Sequence, residues 1–203
     1  MEQSNEKIDW AGYYKSMTGR SARPILARAV SCFTEIAGAA PRRAVDLGCG
    51  DGTETLSLLQ QGWHVLAIDK EPEAIALLER RVRLEHRALL ETRITALEEL
   101  DLPPADLILA CFSLPFCRPG AFPAAWKSIC DSLTPDGVFA GHLFGDKDSW
   151  ATSQDMTFHT RDAVQGLFGS FDIIGLREEQ EDGQAFSGPK HWHLFYIIAR
   201  KKA

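Results

Sequence analysis

Three alternating glycines and two carboxylates carry the chemistry legible in this chain of 203 residues. The glycines lie in Ala44-Val-Asp-Leu-Gly-Cys-Gly-Asp-Gly-Thr-Glu-Thr55, where the apolar run Ala44 to Leu47 reads as a buried strand. It breaks into Gly48-x-Gly50-x-Gly52, and a helical pattern runs from Thr53 to the stop at Gly62. Strand, glycine turn and helix bring backbone close to a nucleotide-like ligand in open α/β sheets. Glycine serves where φ is positive or a Cβ would meet the ligand. Asp46, at the strand's carboxyl end, can face a cationic group. A second strand, Trp63 to Ile68, ends in Asp69, 19 residues past Gly50. A carboxylate there can accept both ribose hydroxyls, at about 1.5–3 kcal/mol for each charge-assisted hydrogen bond. The same side chain can cap the helix that Pro72 opens, and both roles can coexist.

Two ligands compete for the loop. A dinucleotide site wants G-x-G-x-x-G, but position 53 is Thr53, and no Lys-Ser/Thr follows to make a phosphate-binding loop. The pattern D-x-G-x-G-x-G resembles motif I of the class I S-adenosylmethionine-dependent methyltransferases. That resemblance implies S-adenosyl-L-methionine as cofactor, its methionine part wrapped by Gly48, Cys49, Gly50 and Gly52. It further implies Asp46 facing the cofactor's amino group and Asp69, followed by Lys70, at the ribose. Many members carry an acid just after the third strand to hold the adenine amino group; here that place reads Thr95-Ala-Leu97. The adenine contact then falls to the backbone of Ala96 and Leu97. Cys111, Phe112 and Ser113 leave the fourth strand where methyl donor and acceptor meet in the family. From Trp10 to Arg20 the chain resembles the lid of similar enzymes, with Tyr14 and Arg20 as cofactor contacts, the Arg for the cofactor carboxylate. Alternatively, Trp10, Tyr13 and Tyr14 simply seal the core.

The acceptor is less legible. Ser113-Leu-Pro-Phe116 resembles the (Asp/Asn/Ser)-Pro-Pro-(Tyr/Phe) loop of enzymes that methylate base amino groups, but Leu114 stands where proline is needed. Ser113, Trp150, His191 and His193 are the acceptor-site candidates, with Asp146 beside Trp150 in a second expected lid, Phe144 to Trp150. The two histidines are two apart on a strand and share a face. A metal is not expected, because no third ligand stands near them, and partly exposed imidazoles at a strand start are the plainer reading. His142 and His159 are weaker candidates of the same kind. No nucleophile–base pair can be read from spacing, and none is required: a sulfonium methyl is already activated, and alignment can supply roughly 7–11 kcal/mol.

Around these residues the pattern alternates. Strands are expected near 43–47, 63–68, 91–95, 106–111, 137–144, 171–177 and 191–199, with helices near 53–61, 72–87, 121–133 and 160–168. A further helix opens at Pro24 and closes near Gly38, and residues 1–9 read as loose. Such alternation predicts an α/β fold with a doubly wound, mostly parallel sheet. The last two strands, joined by a polar stretch from Arg177 to Lys190, must pair antiparallel. The family resemblance, which reaches from Trp10 to Lys201, makes this a seven-stranded Rossmann-like sheet of order 3-2-1-4-5-7-6 with strand 7 antiparallel. It points to the small bacterial, tellurite-resistance-like branch that acts on small molecules.

Composition agrees. With 22 basic and 28 acidic residues the net charge is −6, which disfavours a nucleic-acid partner. The cluster Arg80, Arg81, Arg83 and Arg87 reads as a solvated helix end. Cys32, Cys49, Cys111, Cys117 and Cys130 are odd in number and lack CxxC spacing, which fits reduced thiols in a cytoplasmic protein. No membrane-length apolar run or signal peptide is evident. The expectation is one domain over 1–203, with an N-terminal lid at 1–22 and a hairpin loop at 178–190 near the acceptor, as a monomer or homodimer. It transfers a methyl group from S-adenosylmethionine to a small-molecule acceptor. The alternatives are an NAD-dependent oxidoreductase, a non-catalytic S-adenosylmethionine-binding protein, and a methyltransferase acting on a nucleic-acid base or a protein.

Overall fold

The computed structural model describes residues 9–17, 19–33 and 41–202. Residues 1–8, expected to be loose, lie outside this set, as do Thr18 of the leading segment and Gly38; the second helix, expected to run from Pro24 to near Gly38, ends at Val30 in a turn over 31–33.

The chain opens with α1 (Trp10–Met17) and α2 (Pro24–Val30), the latter started by proline at its first turn, where a missing N–H costs nothing. It then alternates through β1 (Arg43–Leu47), α3 (Thr53–Gln60), β2 (His64–Asp69), α4 (Pro72–Arg81), β3 (Leu90–Ile94) and β4 (Ala105–Ala110). Beyond these come α5 (Phe122–Ser132), β5 (Leu133–Gly145), β6 (Phe158–His159), α6 (Arg161–Leu167), β7 (Phe171–Ala185) and β8 (Gly188–Lys201). The sheet order is β3-β2-β1-β4-β5-β8-β7, and β6 adds a two-residue parallel pairing to the end of β5. Only β8 runs against its neighbours, antiparallel to both β5 and β7. This is the expected order, with β8 in the place of the reversed seventh strand.

Each face of the sheet buries its own core. Val45, Leu47, Ile108, Phe139 and Phe195 pack with α5 and α6 residues such as Trp126, Ile129 and Val164. Ala44, Val65, Leu107, Leu109 and Ala140 pack on the other face with Leu26, Leu58 and Leu78 of α2, α3 and α4. Central strands buried on both faces explain why β1 and β4 read as continuous apolar runs rather than alternating ones.

Three expectations need correction. The helix expected over 72–87 stops at Arg81, because Val82 turns extended (ψ 127°) to bury its side chain, and Leu84–Leu89 form a 3₁₀ turn instead. The fifth strand begins at Leu133 with a register shift and Asp136 at φ 63°, so the predicted helix-to-strand turn lies within the strand as a bulge. The stretch 178–190, expected as a loop, is almost all strand: β7 and β8 pair in register from Phe171↔Lys201 to Ala185↔Gly188. Its charged residues, Arg177 to Asp182, belong to an edge strand, where charge blocks pairing with other chains.

Candidate cofactor and acceptor site

β1 delivers Asp46 and the glycine loop. Gly48, Gly50 and Gly52 all adopt positive φ (67°, 55° and 77°), the left-handed region that side chains resist. A Cβ on Gly48 would lie 2.4 Å from Cβ of Ser113, so the loop and the end of β4 meet there. The loop is fixed by Gly48 and Cys49 N–H donating to the Ile68 carbonyl (2.8 and 3.0 Å). Asp46 is buried, its Oδ2 accepting from Thr55 Oγ1 at 2.6 Å. Burial, with Glu54 and Asp69 nearby and only partly offset by Thr55 and Arg23, pushes its carboxyl up to about 7. A buried acid with that pKa gains from a cation brought beside it.

Asp69 ends β2. Its Oδ2 accepts from Gly50 N–H (2.9 Å), and its Oδ1 from Glu71 N–H (3.0 Å) and the Tyr14 hydroxyl (3.2 Å). It is thus the acceptor that joins the glycine loop, α1 and the start of α4, whose N-cap is Glu71. Burial raises its carboxyl despite these three donors. Tyr14 lies over Gly50, 3.2 Å from where a Cβ would stand, and its hydroxyl is held protonated by burial and by Asp69. Lys70 follows at the rim, its Nζ 5.5 Å from the ring centroid of Trp10. Ala96 and Leu97 lie just beyond β3, where the chain enters the short 3₁₀ turn Leu97–Glu99.

Arg20 is committed elsewhere. Its guanidinium forms a bidentate pair with Glu54, and Arg23 reaches the same carboxylate (3.1 Å). Burial opposes ionisation of Glu54, yet the two arginines hold its carboxyl below the usual value. The terminal nitrogens of the fork expected at a cofactor carboxylate thus join the segment before α2 to Glu54 of α3. One buried atom of Arg20, Nε, has no partner.

The end of β4 carries Cys111, Phe112 and Ser113. Burial raises the Cys111 thiol well above its ordinary value, so it stays neutral. Phe112 sits at φ 56°, a strain of about 1–3 kcal/mol that clusters at functional sites. Its ring stacks on His142 (4.1 Å, 16°) and meets Arg23 at 5.1 Å. Ser113 is buried with its Oγ unpaired, and so is Nδ1 of His142. Next to them lies an aromatic wall of Phe116, Phe144, Trp192 and Tyr196, roofed by Trp10 of α1, whose ring meets Phe116 edge-on at 4.8 Å.

Of the other acceptor candidates, Trp150 packs in this wall against Phe144 (6.2 Å) and Trp192 (5.9 Å), whereas the two histidines are engaged elsewhere. His191 is partly exposed and pairs with Asp182 across the hairpin (2.7 Å). His193 is buried, its Nδ1 accepting from Lys147 N–H (3.1 Å) and its Nε2 bonded to Glu178 (2.9 Å). That fixes the proton on Nε2 and makes His193 a fastener of the 145–150 segment. Trp150 lies against the buried ion pair of Lys190 and Asp148, with Lys190 Nζ 3.9 Å from its ring and 4.5 Å from that of Trp192. Asp148 also takes the N–H groups of Trp150 (2.9 Å) and His193 (3.2 Å). The segment expected to be a second lid is tied down at every turn. His159 is half-buried against Phe122 (4.8 Å), away from this wall. Among the described residues no cluster of three His, Cys, Asp or Glu side chains is placed to hold a metal.

Beyond the candidates expected from the sequence, the structure brings Tyr196, Trp192, Lys190 and Glu54 to this region and stacks His142 on Phe112. Strand alternation was the available signal, since 142 and 144 on β5 and 192 and 196 on β8 share one face. It becomes readable only once the antiparallel pairing His142↔Tyr196 is known.

Residues 45–139 match the family described as a methyltransferase domain. A ubiquinone biosynthesis O-methyltransferase of Xylella fastidiosa is 36% identical over 104 residues, 50% of this chain and 40% of that protein. The chain thus spans about two fifths of the length of the curated relatives it matches. TehB from Haemophilus influenzae superposes with a TM-score of 0.75 at 16% identity, over 95% of this chain and 67% of that one. The 1,6-didemethyltoxoflavin-N1-methyltransferase of Burkholderia thailandensis, solved with bound 1,6-didemethyltoxoflavin and S-adenosylhomocysteine, superposes at 0.64 with 21% identity, over 95% of this chain and 83% of that one. Residues 45–139 thus match a methyltransferase domain, and the sheet order is that of a fold shared with solved methyltransferases.

Proposed function

We propose that this protein transfers a methyl group from S-adenosylmethionine to a small-molecule acceptor. The observation that carries the reading is Asp69, a carboxylate at the end of β2 bonded to Gly50 N–H of the glycine loop. The residues fit the cofactor. Gly48, Gly50 and Gly52 keep the cradle open, and Asp46 and Asp69 supply two buried carboxylates with raised pKa, suited to a cationic group and a diol. The unpaired Arg20 Nε and Ser113 Oγ are donors left over for a ligand.

When bound, the cofactor supplies a sulfonium methyl that needs no further activation. The protein's share is alignment and exclusion of water. Asp69 fixes the ribose end and Asp46 the amino end, while Tyr14 closes over Gly50. Cys111 to Ser113 form the floor towards the acceptor, and Phe112, Phe116 and Phe144 keep water from it. The net charge of −6 supports a small molecule over nucleic acid.

Calorimetric titration with S-adenosylmethionine, S-adenosylhomocysteine and NAD tests this. The first two are expected to bind and NAD is not; binding of NAD alone would overturn the reading. Tight cofactor binding without turnover of any acceptor panel would instead favour a non-catalytic binding protein.

A further inference from the structure

Two buried polar atoms without partners flank Phe112. Ser113 Oγ lies against the glycine loop, its Cβ 2.4 Å from where a Cβ on Gly48 would stand. His142 Nδ1 lies one ring further out. His142 is 1% exposed, and its ring is stacked on Phe112 and meets the Tyr196 ring edge-on at 4.8 Å. Gly48, Ser113, Phe112 and His142 therefore make a line from the cofactor loop to the aromatic wall. An unpaired buried nitrogen costs about 1–3 kcal/mol, so its persistence at a ligand-bearing strand end calls for an occupant.

We infer that His142 is the polar contact of the acceptor site, its Nδ1 lone pair receiving a hydrogen bond from a planar aromatic acceptor that carries a ring O–H or N–H. This rests on the methyltransferase reading above and goes beyond it by naming the acceptor class. Planarity follows from the surroundings: Phe112, Phe116, Phe144, Trp192 and Tyr196 offer ring faces and edges, which favour offset or edge-on aromatic partners. The donor requirement follows from the charge state. Burial, and after it Arg23, pushes the imidazole down to about 3, against a smaller pull from Glu54. A neutral imidazole has one donor and one acceptor nitrogen. We assign the lone pair to Nδ1, the buried nitrogen without a partner, which leaves the proton on Nε2. A group with so low a pKa does not hold a proton near neutrality, so His142 orients the acceptor and is not its base. A ligand lacking the hydrogen would leave Nδ1 unpaired, and sites of this kind reject such analogues strongly.

The test is equilibrium binding to the protein saturated with S-adenosylhomocysteine. The probes are two matched pairs, 1-naphthol with 1-methoxynaphthalene and indole with 1-methylindole. At least one donor is expected to bind tenfold or more tightly than its methylated twin. His142→Phe, which keeps the stack on Phe112, should abolish that preference, and His142→Asn, which keeps an acceptor near the Nδ1 position, should retain it. Absence of preference in both pairs, or its survival in His142→Phe, overturns the inference. In the wild-type protein labelled with ¹⁵N-histidine, only the donor of the preferred pair should shift the Nδ1 resonance of His142. That readout stands even if a variant fails to fold. S-adenosylhomocysteine affinity, measured in the same samples, separates the two readings: its loss would sink the methyltransferase proposal, whereas its retention without donor preference would sink only this one.

Discussion

Asp69 receives two backbone N–H groups and the Tyr14 hydroxyl. The backbone donors are fixed by the loop, so the hydroxyl is the partner a ribose can replace. Asp69→Ala is expected to weaken S-adenosylmethionine binding at least about tenfold, or 1.4 kcal/mol, while the fold survives. Unchanged affinity in calorimetry would remove the ribose assignment. Asp46 makes a second, pH-dependent prediction. With its carboxyl near 7 in the free protein, binding a cationic group requires it to lose a proton. Affinity should rise with pH, by up to about tenfold per unit below 7, and level off above it. In Asp46→Asn that slope should disappear from the titrations.

At the scale of elements, the 145–150 segment is held by a buried ion pair as well as by the packing of Trp150 on Phe144 and Trp192. Lys190 and Asp148 have fully buried side chains, and burial lowers the Lys190 pKa against the pull of Asp148. Removing one partner strands the other: Asp148→Ala is expected to cost about 3–5 kcal/mol in urea denaturation, whereas Asp148→Leu with Lys190→Met should cost much less. Equal losses in the two proteins would contradict this account. The same segment shows where sequence reading ran out. Elements built by local pattern were legible: α3 and β1 and the loop between them follow from glycine placement and an apolar run, and Pro72 and Pro24 mark helix starts. The fastening of 145–150 depends on Gly145, whose Cβ would strike the His193 ring, a contact 48 residues apart (193 − 145) that no spacing rule announces. The hairpin was mistaken for a loop because edge strands carry the charges that loops also carry.

For the molecule as a whole, buried titratable groups pull stability in opposite directions. Burial pushes His142 and His159 down to about 3 and about 4. Both values lie below the unfolded value of about 6.5, so their contribution is complete above that pH and lost as pH falls. Asp46, raised to about 7, contributes most below about 4 and loses its share as pH rises to 7. Two protons against one, with the raised Asp69 also opposing, leave a slope of at most about 1.4 kcal/mol per pH unit of rising stability between about 4 and 6.5. Urea midpoints across that range would check it, and in His142→Phe/His159→Phe the slope should reverse.

His142, Phe144, Trp192 and Tyr196 of the aromatic wall lie on β5 and β8, whereas the proposed cofactor residues from Tyr14 to Ser113 precede both strands. Inheritance can therefore treat the two tasks separately. On the proposed function, a change at Trp192 or Tyr196 should revise which molecule is admitted and leave cofactor affinity unchanged, as titration of such variants would check. A library confined to Phe144, Trp192 and Tyr196 would sample such changes in the laboratory.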